Sequence, residues 1–285
     1  LIVGAGISGI SAACHLEQRC PSKSYALLEG RENLGGTWDL FRYPGIRSDS
    51  DMHTFGFGFK PWTNPKAISD GESIREYLQE AVAEFNVRDK IRYGHKVTAA
   101  KWDSEHKLWR VTATQADGES VVIETRVLFM CSGYYDYAKG YTPDYPGLES
   151  FSGQLIHPQQ WPKDLDYKGK KVAVIGSGAT AVTIVPNMVD HAAELTMIQR
   201  SPSYVFSRPA EDAIANFLNR VLPEKWAFSL TRWKNIYMQN TTFKTARKKP
   251  EKVKKVLLNA VRKSLGDDYD IDTHFTPRYN PWEER

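Results

Sequence analysis

Two glycine-rich turns constrain the fold of this chain of 285 residues more than any other feature of its sequence. GAGISG spans residues 4–9, and GSGATA spans residues 176–181. Each turn follows a short apolar run and precedes a stretch with helical spacing, which is the strand–turn–helix order of a dinucleotide-binding βαβ unit. The sequence therefore predicts an α/β fold with two dinucleotide-binding, Rossmann-like domains.

The patterns around each turn complete the two predicted domains. In the first, an amphipathic helix is expected before a β-meander. In the second, a helical insertion begins at about residue 211, with Phe217, Trp226, Phe228, Trp233 and Tyr237 as aromatic anchors. Loops are expected at 35–59 and in the tail around Pro277 and Pro281. The expected strands are 1–3, 25–28, 91–93, 96–102, 108–114, 120–125, 127–131 (buried), 171–175 and 195–199, and the expected helices are 11–19, 73–85, one ending at about 190, and the pattern at 211–266.

The residues that end the second strand of each βαβ unit differ in charge. Glu29 stands 20 residues beyond Gly9, and Arg200, followed by Ser201, stands 19 residues beyond Ala181. A carboxylate here binds the ribose 2′-hydroxyl of FAD or NAD, whereas an arginine pairs with the 2′-phosphate of NADP. The two sites together suit hydride transfer from NADPH to a flavin. The simpler alternatives are a turn without a nucleotide at the first site and a solvent-facing Arg200 at the second.

Composition and charge exclude several other classes of protein. Apolar residues make up 41% and charged residues 25% of the chain, and no apolar run reaches the ~18 residues of a spanning helix. The net charge of +4 comes from a basic segment at 244–263, and no nucleic-acid recognition motif accompanies it. That segment is either a membrane-surface helix, with an apolar stripe at 253–261, or a docked helix with a solvated basic face, and the docked helix is favoured.

The cysteines argue against a redox dithiol and against a metal site. Cys14, Cys20 and Cys131 form no C-x-x-C pair, so a disulfide reductase and a zinc ribbon are both unsupported. An odd number of cysteines without a disulfide framework suits a reducing compartment, so a cytoplasmic location is expected.

A longer motif lies between the two glycine turns. FSGQLIHPQQWP, at 151–162, matches F-x-G-x-x-x-H-x-x-x-W-P. With the turns on either side, the chain resembles the Baeyer–Villiger monooxygenases of the flavin-containing monooxygenase superfamily, and most of all their ethionamide-activating branch. Flavin-containing monooxygenases usually carry Tyr or Phe where Trp161 stands. Shorter strings share the resemblance: GGTW at 35–38, RYPGIRSDSD at 42–51, CSGYY at 131–135 and YNPWEER at 279–285.

The resemblance implies which residues bind cofactors and which are catalytic. Asp49 would lie near the flavin and the nicotinamide, and Arg285 would stabilise a flavin peroxide, although Glu284 stands where many family members have Lys. Val97 would pack at the adenine of FAD, and Arg200 would bind the 2′-phosphate of NADPH. The implied cofactor contacts are Gly4, Gly6, Ser8, Gly9, Glu29, Gly36, Thr37, Trp38, Asp39, Leu40, Arg47, Ser48, Asp49, Val97, Gly176, Ser177, Gly178, Ala179, Thr180, Ala181, Val182, Arg200 and Ser201, with no metal.

The resemblance also implies an activity. The chain would belong to an FAD- and NADPH-dependent monooxygenase that inserts one oxygen atom from dioxygen into ketones, with thioether or thioamide sulfur as a further target. His157 and Trp161 of the fingerprint would shape the structure rather than take part in the chemistry. The alternatives are a sulfur- or nitrogen-oxygenating flavin monooxygenase and a cofactor-binding fragment without turnover.

The domain boundaries follow from the motifs. Residues 1–140 are expected to form an FAD-binding domain that lacks its C-terminal part. Residues 141–170 are expected to be a linker that carries the fingerprint, and residues 171–285 an NADP-binding domain. The chain as a whole is thus expected to be an N-terminal fragment of a longer protein.

Overall fold

Strands and helices alternate at the start of the chain and again from β8 to β9 in this computed structural model, which describes residues 1–283. The chain folds as two units, of which unit 1 comprises Leu1–Tyr43 and Asp70–Lys163, and unit 2 comprises Pro44–Ser69 and Asp164–Arg285. In chain order the elements are β1 (Ile2–Val3), α1 (Ile7–Arg19), β2 (Leu27–Leu28), α2 (Thr37–Leu40), α3 (Met52–Phe55), α4 (Gly71–Glu84), β3 (Ile91–Arg92), β4 (Lys96–Asp103), β5 (Leu108–Thr114), β6 (Ser120–Thr125), β7 (Phe129–Met130), β8 (Lys171–Ile175), α5 (Ala179–Met188), β9 (Glu194–Ile198), α6 (Ala213–Val221), α7 (Glu224–Lys248), α8 (Pro250–Leu265) and α9 (Ile271–Phe275).

A parallel sheet forms the centre of unit 1. Its strand order is β3-β2-β1-β7, and every pairing within it is parallel. Helix α4 buries the predicted apolar stripe, including Ile74 and Leu78, and packs beside α1. The order reverses at β1, because β2 and β7 lie on opposite sides of it. In open α/β sheets ligands bind at the carboxyl end of the strands at such a reversal, and the first glycine turn follows β1 there.

The predicted β-meander is present in unit 1. Strands β4, β5 and β6 pair antiparallel in that order, with a bulge in β4 between Val97 and Ala99. Val111 and Ala113, on the central strand β5, are fully buried. The alternation of apolar and polar residues in these strands therefore positions one face of the meander toward a core.

The second βαβ motif of the chain lies in unit 2. Its strands β8 and β9 pair in parallel, and α5 connects them. Helices α6 and α7 pack together, and α8 contacts α7 and α9.

Helix α8 and the end of α7 carry the basic segment. Lys254 Nζ donates to the carbonyl oxygen of Pro277 at 3.4 Å, but Val256 is exposed and no residue of α8 is buried. None of the described helices combines the length and the apolar character that a bilayer crossing requires.

Several sequence expectations need correction. The strand at 127–131 was expected to be buried, but β7 is the edge of its sheet, and Phe129 and Met130 are exposed. Of the five aromatic anchors only Phe228 is buried, and the other four are exposed: Phe217, Trp226, Trp233 and Tyr237. An apolar pattern identifies a strand or helix, but it does not show whether a neighbouring element covers it.

Short helices interrupt two of the expected loops. Helices α2 and α3 lie within 35–59, and α9 lies in the tail. Asp51 is the N-cap of α3, and its carboxylate accepts from the N–H of Thr54 at 3.1 Å. Asp270 is the N-cap of α9, and its carboxylate accepts from the N–H of Thr273. These N-caps stabilise single turns too short to show a helical period in the sequence.

Candidate functional site

The three glycines of the first turn have different structural surroundings. Gly4 has a φ of +102°, and a Cβ there would lie 2.5 Å from the carbonyl oxygen of Cys131. A Cβ on Gly9 would lie 1.9 Å from the carbonyl oxygen of Gly4, so a side chain would push α1 away from the turn. At Gly6, by contrast, the nearest atom to a Cβ is Gly36 Cα at 3.7 Å. Packing requires glycine at positions 4 and 9, whereas the space at Gly6 is open to a ligand.

The N-terminus of α1 is open to an anion. The helix has 13 residues, Gly6 at its N-cap supplies no side-chain cap, and no acidic residue stands in the first turn. The first N–H groups of a helix have no partner within it, and the helix dipole favours negative charge at that end. The segment GGTW lies alongside, since Gly35 N donates to the carbonyl oxygen of Ala5 at 2.9 Å. The turn, the start of α1 and Gly36 thus lie close together, and their chemistry suits a pyrophosphate.

Glu29 is held directly against the first turn. It is buried, its Oε2 accepts from Ala5 N at 2.8 Å, and its Oε1 accepts from Arg31 N at 3.0 Å. A carboxylate oxygen retains acceptor capacity beyond one hydrogen bond, so Glu29 can also accept from a ribose hydroxyl. His95 N donates to the carbonyl oxygen of Glu29 at 2.8 Å, which places the start of β4, and with it the half-buried Val97, near this carboxylate.

Two further side chains lie beside the GGTW segment of unit 1. The carboxylate of Asp39 is buried between Arg31 at 2.8 Å and Arg42 at 2.9 Å, so this carboxylate is engaged within the protein. The side chain of Tyr137 is hydrogen-bonded to that of Thr37. Its hydroxyl would lie 3.3 Å from a Cβ added at Gly36. Burial raises the pKa of Tyr137, so its hydroxyl keeps its proton near neutral pH. The remaining predicted contacts of this site are Ser8, exposed in the first turn of α1, and Trp38 and Leu40, half-buried in α2.

The second glycine turn repeats the arrangement in unit 2. Gly176, with a φ of +133°, follows β8, and α5 starts at Gly178 without a side-chain cap or an acidic first turn. A Cβ on Gly178 would meet no atom within 4 Å. The predicted contacts Ala179, Thr180, Ala181 and Val182 form the first turn of α5. The start of α5 is therefore open to an anion in the same way as that of α1.

Ser177 joins this turn to the loop that follows β9. Its Oγ lies 3.4 Å from the carbonyl oxygen of Ser201 and 3.3 Å from Ser203 Oγ. Arg200 lies in that loop, is exposed, and forms no ion pair within residues 1–283. An anion at the N-terminus of α5 would thus have an available guanidinium nearby.

The fingerprint segment packs against residues 136–140 of unit 1. His157 Nδ1 accepts from Gln159 N at 3.2 Å, and a Cβ on Gly140 would lie 2.1 Å from the imidazole. The buried Gln159 side chain donates to the carbonyl oxygen of Asp136. These contacts join His157 and Gln159 to residues 136–140, while Trp161 is half-buried.

The candidate catalytic residue Asp49 belongs to unit 2, whereas the first glycine turn belongs to unit 1. Asp49 is exposed, and it belongs with Arg47 and Ser48 to the segment 44–69 of unit 2. Arg285, and Glu284 before it, lie outside the described residues. No group of His, Cys, Asp and Glu side chains within residues 1–283 is arranged to hold a metal ion.

Sequence reasoning missed the buried group that fixes the Asp49 segment. The carboxylate of Asp51 accepts hydrogen bonds from Asn235 at 2.9 Å and from Gln239 at 2.8 Å. The helical pattern around residue 235 predicted α7, but polar residues on a helix give no signal of their partner. The proximity of Asp51 to Asp49 in RYPGIRSDSD was the one available clue.

Comparison with known proteins settles the family. The sequence profile of the family described as "FMO-like: Flavin-binding monooxygenase-like" matches residues 1–260. This chain belongs to that family. The resemblance inferred from the glycine turns and the fingerprint is thereby confirmed.

Relatives of this flavin-binding monooxygenase-like chain are longer than the chain itself. The FAD-containing monooxygenase EthA of Mycolicibacterium smegmatis is 52% identical over 286 residues, which cover 100% of this chain and 58% of that protein. A crystal structure of OTEMO in complex with FAD and NADP has a TM-score of 0.62 at 32% identity, over 71% of this chain and 39% of that chain. Cyclohexanone monooxygenase from Rhodococcus sp. Phi1 bound to NADP+ has a TM-score of 0.62 at 31% identity, over 71% and 38%.

Proposed function

We propose that the full-length protein is an FAD-containing, NADPH-dependent monooxygenase that inserts one oxygen atom from dioxygen into ketones. One observation carries the proposal: a single chain pairs a glycine turn beside a buried acid, Glu29, with a second glycine turn beside an exposed arginine, Arg200. These opposite charges suit two different dinucleotides. An FAD–NADP pair is what a flavin-binding monooxygenase that uses NADPH requires.

FAD is the proposed ligand of the first turn. The open space at Gly6 and the uncapped start of α1 fit its pyrophosphate. The carboxylate of Glu29 fits the adenosine ribose, and Val97 lies on the strand beside it. Gly36 and α2 would contact the part of FAD beyond the pyrophosphate. In the OTEMO complex the related protein binds both FAD and NADP, which supports this assignment.

NADPH is the proposed ligand of the second turn. Its pyrophosphate would lie at Gly178 and the start of α5, and its 2′-phosphate would lie at Arg200 and Ser201. Arginine binds phosphate with paired hydrogen bonds and keeps its charge at any working pH. A carboxylate at position 200 would instead repel the 2′-phosphate, so the arginine selects NADPH over NADH.

Bound FAD, once reduced by NADPH, supplies the reaction of dioxygen that transfers an oxygen atom to the substrate. The chain's own contribution is electrostatic. We assign to Arg285 a positive charge beside the negative charge that develops on oxygen, and to Asp49 the orientation of that guanidinium. Exposed Asp49, next to buried Ser48, is free to make such a contact.

Two observations favour ketones over sulfur compounds as the proposed substrates. Trp161 completes the Baeyer–Villiger fingerprint, and the structural relatives include a cyclohexanone monooxygenase. A thioether or thioamide is the second substrate class, because the strings around the fingerprint resemble the ethionamide-activating branch. The runner-up function is therefore oxygenation of sulfur or nitrogen alone.

A product assay on the full-length protein tests the proposal. The protein is loaded with FAD and supplied with NADPH, dioxygen and either cyclohexanone or a methyl aryl thioether. We expect lactone from the ketone and sulfoxide from the thioether. Sulfoxide without lactone would support the runner-up instead. Loss of both products with FAD bound would overturn the assignment as an active monooxygenase.

A further inference from the structure

A fully buried carboxylate joins the Asp49 segment to a distant helix. Asp51 Oδ1 accepts from Thr54 N at 3.1 Å and from Asn235 Nδ2 at 2.9 Å. Its Oδ2 accepts from Thr54 Oγ1 at 2.9 Å and from Gln239 Nε2 at 2.8 Å. Arg208 lies 3.8 Å from the same carboxylate. All of these residues belong to unit 2, and we call Asp51, Asn235 and Gln239 the anchor cluster.

The anchor cluster depends on each of its members. A buried charge is costly unless hydrogen bonds and a counter-charge compensate it. Asn235 and Gln239 stand four residues apart on α7, so their side chains lie on one face of the helix. Asn235 is itself buried, which leaves its amide no solvent to bind in place of the carboxylate. Removing either amide therefore takes one hydrogen-bond donor from a buried charge and leaves that oxygen its contact with Thr54.

The same segment has a second set of restraints on the other side of Asp49. Ser48 is buried, and its N–H donates to the carbonyl oxygen of Ser69 at 2.9 Å. Its Oγ donates to the carbonyl oxygen of Ser50 at 2.8 Å and accepts from Ser50 N at 3.1 Å. Asp49 thus lies between a closed serine turn and the anchor cluster, with its own side chain exposed. The backbone is held while the carboxylate remains available.

Helix α7 also binds the far end of α3. Arg232 Nη1 donates to the carbonyl oxygen of His53 at 2.8 Å and to that of Gly56 at 3.1 Å. Met52 N donates to the carbonyl oxygen of Ala67 at 2.7 Å within the segment. Helix α7 therefore holds both the beginning of α3, through Asp51, and its end, through Arg232.

We propose that α7 positions Asp49 for the oxygen transfer through the anchor cluster, so that Asn235 and Gln239 are positioning residues. The inference rests on the proposed function for the role of Asp49, whereas the restraint on the segment stands on the contacts above. A shift of one ångström in such a group is sufficient to impair a reaction. Loss of the anchor should therefore separate NADPH consumption from product formation without loss of FAD.

The first measurement does not depend on activity. Hydrogen exchange of the backbone amides at 47–51 is compared in the full-length protein and its Asn235→Ala variant. Asn240→Ala is the matched control, because Asn240 is an exposed residue of the same type on the same helix. We expect exchange at 47–51 to be roughly 10-fold faster or more in Asn235→Ala and unchanged in Asn240→Ala. Unchanged exchange in Asn235→Ala would overturn the proposal.

The second measurement is the amount of product formed per NADPH consumed. We expect it to fall in Asn235→Ala to the level of Asp49→Ala, and the double variant to fall no further, because both changes act on one group. Independent effects that add in the double variant would contradict positioning through Asp49. If Asn235→Ala does not fold, the same two measurements are made on Gln239→Ala, because Gln239 lies on the exposed side of the anchor cluster.

The two proposals fail in different ways. A normal amount of product per NADPH in Asp49→Ala would remove Asp49 from the proposed function. The hydrogen-exchange data would still show whether the anchor cluster restrains residues 47–51. A low ratio in Asp49→Ala with normal exchange and a normal ratio in Asn235→Ala would leave the proposed function standing and overturn the inference.

Discussion

Glu29 Oε2 accepts a hydrogen bond of 2.8 Å from the backbone N–H of Ala5. The acid that directly follows β2 is thereby fixed against the glycine turn that follows β1. The structure thus brings together the carboxylate and the uncapped helix start that the sequence separates by more than 20 residues. A ribose and its pyrophosphate require that proximity, since the two groups are adjacent in a dinucleotide.

Glu29→Gln should weaken FAD binding. The single amide oxygen of Gln can accept from Ala5 N or from Arg31 N but not from both, and the charged partner of the ribose hydroxyl is lost. We expect the Kd for FAD in the full-length protein to rise by roughly 10-fold or more. Equilibrium titration of the apoprotein measures it, with Glu32→Gln, an exposed acid of the same type, as the control. Equal affinity in Glu29→Gln and wild type would argue against a ribose contact.

Alanine at Gly6 and at Gly9 should have different consequences. A Cβ at Gly6 meets only Gly36 Cα at 3.7 Å, so Gly6→Ala should fold but obstruct the approach of the pyrophosphate. At Gly9 the same Cβ would lie 1.9 Å from the carbonyl oxygen of Gly4, so Gly9→Ala should lower the stability of the apoprotein itself. Thermal unfolding without FAD, and FAD content after reconstitution, separate the two effects. Stoichiometric FAD in Gly6→Ala would show that the open space is not a ligand site.

Arg200→Glu should reverse the cofactor preference of the second site. It removes the proposed partner of the 2′-phosphate and adds a repelling charge, so the Kd for NADPH should rise by roughly 100-fold while that for NADH changes little. The binding of both cofactors is measured on the full-length protein, and Arg220→Glu, on the exposed surface of α6, is the control for net charge. Equal losses for NADPH and NADH would contradict the assignment of Arg200.

These sites were predictable to the extent that local sequence determines them. The βαβ units follow from glycine turns between apolar runs, and α4 follows from the spacing of Ile74 and Leu78. The placement of 44–69 in unit 2 was not predictable, because it depends on Asp51 meeting Asn235, which is 184 residues further along the chain. The exposure of Phe129 could not be predicted from the sequence either, because an apolar strand pattern does not show whether the strand lies at a sheet edge.

His53 should make the folded state less stable at mildly acidic pH. Its side chain is buried, its Nδ1 has no hydrogen-bond partner within residues 1–283, and burial lowers the pKa of the imidazole from its ordinary value of about 6.5. The unfolded chain therefore binds a proton more readily, so stability should fall as pH drops below about 6.5 and recover above it. Urea unfolding of the full-length protein between pH 5 and pH 7.5 measures the slope.

Replacement of His53 isolates its share of that slope. His53→Leu should flatten the pH dependence, whereas His191→Gln, which changes an exposed histidine, should leave it unchanged. A slope that persists in His53→Leu would assign the effect to other groups.

Arg285→Ala should separate cofactor binding from oxygen transfer. Hydride transfer from NADPH does not need the proposed positive charge, so FAD content and flavin reduction should remain near wild type. Product formation from a ketone should fall roughly 100-fold, the usual effect of removing one charge-stabilising group. Stopped-flow reduction and product quantification measure the two steps, with the exposed Arg278→Ala as the control. Near wild-type product formation would remove Arg285 from the chemistry.

The fate of labelled dioxygen tests the central claim most directly. The full-length protein, loaded with FAD, is supplied with NADPH and cyclohexanone under 18O2. The account predicts a lactone that carries one 18O atom, with NADPH consumed in proportion to the lactone formed. Consumption of NADPH that yields only labelled hydrogen peroxide, with no labelled lactone, would contradict it.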